Sequence, residues 1–281
     1  MALPNTGAIS IGDIAAEFGG AAPHDLSEYY GVGAGIPGSG EISVSDFYGA
    51  SAATFIQATG GSVSTSGNYK FHTWTSTSTF NVSQTATGSA SNVINLCVVA
   101  GGGSGGDKYG SWPGGGGGGG GMVVVNDQAV LGEVSVSVGG HSHWGGNHQA
   151  LAGNVGGCDS GVTSRDCGSA GGKAGRYGQT AGRWTSGQGH DGGPSAEGPG
   201  YFHSGGGGGA GSTGGTTGGG SGRTWSLNGA TYSRGGNGST NTGGDGANGT
   251  YYGMGGGGTG AQSNVRGSAY KGIVICRYQY Q

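Results

Sequence analysis

Gly114-Gly115-Gly116-Gly117-Gly118-Gly119-Gly120-Gly121 is an unbroken run of eight glycines. Around it, 61 of the chain's 77 glycines fall between residues 101 and 265. Further clusters stand at Gly101–Gly103, Gly105-Gly106, Gly171-Gly172, Gly205–Gly209, Gly214-Gly215, Gly218–Gly220, Gly235-Gly236, Gly243-Gly244 and Gly255–Gly258. A flexible linker would use glycine for its conformational freedom. Linkers, however, do not carry Trp112, Trp144, Trp184, Trp225, Tyr201-Phe202 and Tyr251-Tyr252 between their glycines. The competing reading is a packed set of extended, left-handed helices with three residues per turn. Such helices have no internal hydrogen bonds. Their backbone N–H and C=O groups must pair with neighbouring segments, and glycine lets those backbones approach on every side. The field is therefore expected to be a polyglycine II-type helical sandwich over residues 101–270, with a core of backbone rather than side chains. Collagen is excluded, because only 6 prolines are present and glycine shows no strict three-residue period.

Working outward, the flanks read as β. Thr54–Thr59, Tyr69–Trp74, Thr77–Val82 and Asn92–Ala100 are rich in β-branched and aromatic residues and are bounded by Gly, Ser and Asn turns. Residues 51–100 are thus expected to form an antiparallel β domain. Val134–Val138 is a clean alternation and Ile273–Tyr278 is an apolar run close to the C-terminus, and residues 133–140 and 271–279 are expected to complete the same sheet. That sheet would pin both ends of the glycine field and reduce the entropy lost on ordering it.

Residues 1–50 hold three short segments: Ser10–Phe18, Asp25–Tyr30 and Ser43–Tyr48. Each opens on a capping residue and stops at a glycine. Ser10 with Asp13, and Ser43 with Asp46, form a variant of the capping box. The fold class expected is thus mainly β, with the glycine sandwich and a small N-terminal module of short helices. Isolated helices this short are unstable. Either they cap the following domain, or they are a docking module that gains its core from a partner or from symmetric copies. The aromatic surface favours docking, through Ile11, Ile14, Phe18, Leu26, Tyr29, Tyr30, Phe47 and Tyr48.

Charged residues make up 9% of the chain and the net charge is −3. This argues against charge-driven disorder and against nucleic acid as a partner. No apolar run reaches the roughly 20 residues of a membrane span, and no basic segment followed by an apolar core marks a secretory leader.

Taken in order, Leu96–Gly103, Val136–Gly140, the repeated glycine clusters and Gly272–Tyr278 resemble the glycine-rich domain of tailed-phage tail fibre and adhesin proteins. Ile9–Ile14 and Ile42–Gly49 resemble the opening of many phage structural proteins. The resemblance implies a virion protein of the tail, assembled in the host cytoplasm and acting outside the cell. It implies attachment by the N-terminus to other tail or baseplate proteins. It also implies a homotrimer, and loops that touch a host-surface glycan or outer-membrane protein. The alternative is a purely structural virion protein, a capsid decoration or a baseplate or tail ornament.

The aromatic and charged residues between clusters are the candidate receptor contacts: Tyr109, Trp112, His143, Trp144, Arg183, Trp184, Tyr201, Phe202, Trp225 and Tyr232. Trp, Tyr and Arg dominate binding hot spots, although the same rings would also serve as side packing. His141, His143 and His148 are a weak metal candidate, since no Asp, Glu or Cys stands near them in sequence; no metal or other cofactor is expected. Cys97 and Cys276 are expected to be buried thiols, while Cys158 and Cys167 would close a small loop if oxidised after lysis. No catalytic site is expected. Gly-x-Gly-x-x-Gly matches arise by chance here and lack the strand-to-helix setting, and no Gly-x-Ser-x-Gly elbow has triad partners.

Overall fold

The computed structural model describes residues 2–33, 35–87, 92–130, 132–157, 167–174 and 184–281. Its single α-helix among the described residues, α1 (Ile11–Phe18), starts at Ser10 with a full capping box. The Ser10 hydroxyl and amide both donate to Asp13 and hold its carboxyl below the ordinary carboxylate range. The other two expected helices are single 3-10 turns, Leu26–Tyr29 and Val44–Phe47.

The module's aromatic surface is satisfied internally, which corrects the expectation that it needs a partner. Ile14, Tyr29 and Phe47 are buried with Leu3, Ile36 and Ala50, and Phe18 and Leu26 pack against them. The rings of Phe18, Tyr29 and Phe47 meet at centroid distances of 6.0–6.4 Å, a favourable aromatic geometry. Tyr30 is half-buried and donates to the Gly40 carbonyl. Of the eight residues expected to dock, Ile11 and Tyr48 remain exposed.

The strands run in chain order as β1 (Gln57–Thr59), β2 (Ser62–Ser66), β3 (Tyr69–Trp74), β4 (Ser78–Gln84), β5 (Val93–Val99), β6 (Met122–Ala129), β7 (Glu133–Ser137), β8 (Ser142–Trp144), β9 (His148–Ala150), β10 (Ala196–Gly198), β11 (Tyr201–His203), β12 (Arg223–Thr224), β13 (Thr231–Tyr232) and β14 (Ile273–Gln279). They form two antiparallel five-stranded sheets, ordered β1-β4-β7-β8-β9 and β2-β3-β14-β5-β6, and two small hairpins. The single sheet expected from sequence is therefore two. β7 pairs with β4, whereas β14 lies between β3 and β5.

Alternation explains why two sheets pack. Leu96, Val98, Val274, Cys276 and Tyr278 point to one face and join Phe80, Val136 and Trp144 of the other sheet, and Ile56 just before β1, in one core. Cys97, Val99, Ile273 and Ile275 point to the opposite face and pack on Trp225, Tyr232 and Ala210. β5 and β14 are thus buried on both sides, which is why they read as nearly continuous apolar runs. His72 is fully buried between Trp74, Phe80 and Tyr278. Its Nδ1 lies 2.6 Å from the Gly60 carbonyl and its Nε2 lies 3.0 Å from the Tyr278 hydroxyl.

The glycine run Gly114–Gly121 enters β6 directly. Its amides follow a three-residue period. Gly114, Gly117 and Gly120 donate to Thr259, Gly256 and Gly253. Gly115, Gly118 and Gly121 donate to Gly157, Asn154 and Leu151, and Gly116 and Gly119 donate to Gly205 and Gly208. These eight bonds measure 2.7–3.0 Å. The carbonyls of the same run accept from three other segments: Gly103 and Gly106, then Ser169 and Gly172, then Gly236. The six neighbours are also bonded to one another in a closed ring, through pairs such as Gly256 to Gly103, Gly153 to Gly101, Asn154 to Ser169, Gly205 to Lys173, Gly207 to Gly236 and Gly255 to Arg234. The segment 204–210 repeats the pattern, donating in turn to the segments holding Lys173 and Ala170, Gly215 and Ser212, and Gly236 and Ser233.

Candidate functional site

The hydrogen-bond register assigns the described loops to one end or the other of this bundle. The segment 100–106 leaves β5, the run Gly114–Gly121 leads into β6, and residues up to Gly272 lead into β14. The sheets therefore lie at the Gly121 end. The opposite end is marked by Gly114 and its partner Thr259, by Gly106 and by Gly205. The loops at that far end include residues 107–113, 194–203, 239–243 and 261–265.

These loops bind one another. Tyr109 and Trp112 exchange backbone hydrogen bonds of 3.0 Å, closing a tight turn on Gly110, whose φ of 58° suits glycine. Trp112 packs on Phe202 of the β10–β11 hairpin, with centroids 3.9 Å apart. Asn241 pins that hairpin, its amide donating to the Phe202 carbonyl at 3.0 Å and its side chain to the Gly200 carbonyl at 3.1 Å. Arg266 pairs with Asp107 at 2.9 Å, and Lys108 donates to the Ala261 carbonyl at 2.9 Å. With those charges engaged, the tip presents Tyr109 (61% exposed) and Tyr201 (45%) beside the half-buried Trp112 and Phe202.

Four of the expected receptor contacts, Tyr109, Trp112, Tyr201 and Phe202, therefore come together at one end. Three others are corrected. Trp144, Trp225 and Tyr232 are 4%, 2% and 6% exposed, because each fills a sheet face. His143 is half-buried on β8, beside Gln149 at 3.4 Å. Trp184 is exposed but lies at the sheet end, where Thr185 bonds Cys167 and Gln188 bonds Leu151 and Met122. Arg183 lies outside the described residues. Asp107, Lys108, Asn241 and Arg266, which hold the tip loops in place, were not singled out from sequence for that role. Nothing local in their sequence marks it, because their partners come from other loops.

The three histidines considered for metal serve separate partners. His141 Nδ1 accepts from the Ala152 amide and His148 pairs with Gln128. Among the described residues no group of three metal-ligating side chains occurs. Cys97 and Cys276 lie on adjacent strands but face opposite cores, as expected of buried thiols. Burial pushes the Cys97 thiol up to about 12 and raises that of Cys276 further. Cys167 is buried and Cys158 lies outside the described residues. No family model, no curated protein and no solved structure matches the chain.

Proposed function

We propose that the chain is a non-enzymatic tail-fibre or adhesin component of a tailed bacteriophage. In this reading the glycine field is a polyglycine II-type sandwich, and the tip loops recognise a host-surface glycan or outer-membrane protein. The three-residue period of the Gly114–Gly121 hydrogen bonds supports the sandwich. The observation that carries the functional reading is the gathering of Tyr109, Trp112, Tyr201 and Phe202 at the end away from the sheets. Aromatic rings on a rigid support supply contact area at small entropic cost. The N-terminal module, with Ile11 and Tyr48 exposed, docks to the tail or baseplate, and the working assembly is a homotrimer on the virion.

Particles carrying Tyr109→Ala, Trp112→Ala, Tyr201→Ala and Phe202→Ala together are expected to lose at least about tenfold in adsorption rate, since hot-spot truncations cost 2 kcal/mol or more. Deleting residues 2–50 is expected to abolish incorporation into particles while leaving the remainder folded. Unchanged adsorption by the tip variant, with normal incorporation, contradicts the adhesin reading and leaves the purely structural role.

A further inference from the structure

At the sheet end of the bundle, far from the aromatic tip, a cleft of about 510 Å³ opens between the segment beginning at Trp184, the end of segment 204–211 and β12. That volume lies in the range of small-molecule sites. Among the described residues, its side-chain functions come from Trp184, Ser186, His190 and Arg223, and the rest of its lining is glycine and alanine. Trp184 and His190 stack at 29° with centroids 5.9 Å apart, and Trp184 stays 37% exposed. Arg223 is exposed; its backbone pairs with Tyr232 in the β12–β13 hairpin, and its guanidinium has no hydrogen bond or ion pair among the described residues. Among the described residues, no carboxylate lines the cleft.

These groups ask for a ligand with three properties. The guanidinium is a planar fork that matches a carboxylate in bidentate fashion. The indole offers an apolar face to flat C–H surface. Ser186 and the imidazole of His190 supply hydrogen bonds suited to hydroxyl groups. A bare phosphate could accept from Arg223, Ser186 and His190 but would leave the indole face of Trp184 idle, and an aromatic acid would leave the hydroxyl partners idle. We propose that this cleft binds an acidic monosaccharide unit, a pyranose carrying a carboxylate. The site is separate from the tip and does not rest on the adhesin reading.

The test titrates methyl β-D-glucuronide into the full chain, followed by calorimetry and tryptophan fluorescence. Saturable binding is expected, with methyl β-D-glucoside and benzoate each at least tenfold weaker. Arg223→Ala and Trp184→Ala are each expected to weaken the glucuronide at least tenfold, while Trp184→Phe, which keeps a stacking face, retains most of the affinity. Near-UV circular dichroism shows that each variant keeps its fold. The tip variant Tyr109→Ala/Trp112→Ala is expected to bind the glucuronide as the parent does, which separates this site from the adsorption function. Absence of saturable binding overturns the proposal. So does equal binding of glucoside or benzoate, or affinity that survives both Arg223→Ala and Trp184→Ala in folded protein.

Discussion

A Cβ built on Gly117 would overlap the carbonyl oxygens of Gly103 and Ser104, whereas one built on Gly218 meets nothing within 4 Å. The two glycines share a cluster pattern in the sequence but not a cost of substitution. Gly117→Ala is expected to destabilise the protein by about 3 kcal/mol or more, because backbone cannot yield as a flexible side chain does. Gly218→Ala is expected to be neutral or to stabilise by about 0.5 kcal/mol, through the unfolded state. Denaturant midpoints of the two variants check this. His72 is the second residue whose surroundings decide its behaviour. Burial, opposed by the Gly60 hydrogen bond and aided by the Lys70 charge, lowers its pKa. The unfolded chain therefore takes up a proton that the folded protein refuses. Stability from this residue is complete above the unfolded value of about 6.5 and is lost as pH falls below it. A stability profile from pH 8 to 5 is expected to flatten in His72→Gln, which cannot titrate. A slope equal to the parent's would assign the effect elsewhere. His72 itself was readable as a strand residue, but its burial depends on Tyr278, which is distant in sequence and adjacent in space.

At the level of elements, what the sequence reveals depends on how local the signal is. The caps at Ser10 and Ser43 are set by residues three apart: the Ser10 box forms in full, while at Ser43 the Asp46 carboxylate accepts from the Ser43 amide and hydroxyl. β3 alternates, β5 and β14 are short apolar runs, and all three appear close to where those patterns place them. The division into two sheets is not local. β7 and β14 both read as strands, and only their pairing with β4 or with β3 and β5 assigns them to different sheets. β6 escaped because it follows eight glycines, so the field overshadows Met122-Val123-Val124-Val125. The two-faced burial of β5 and β14 carries its own consequence. Cys97 and Cys276 are buried on opposite faces, with thiols far above neutral pKa. Neither is expected to react with a thiol-directed reagent at pH 8 until the sheets unfold, and the reaction is expected to track the loss of circular dichroism. Rapid labelling of either thiol in folded protein would contradict the packing described for both strands.

Across the whole molecule, segment direction decides which loops meet. The glycine clusters are visible in the sequence, yet it does not show which loops share an end. That follows from the register of each segment against Gly114–Gly121, which sends Tyr109 and Tyr201 to one end and Trp184 and Trp225 to the other. Side chains then play the reverse of their usual part. Backbone fills the centre of the bundle, and the large rings cover the sheet face or project at the tip. Glycine loses more entropy on ordering than any other residue, so the bundle stands only if the hydrogen bonds between its segments hold together. Amide hydrogen exchange across residues 114–121 reads those bonds directly. If this run is the packing axis, its eight amides exchange as slowly as those of β5 and β14 and open only with global unfolding. Exchange at the rate of an unstructured glycine peptide, while β5 and β14 stay protected, would show that the glycine field is not the core of this fold.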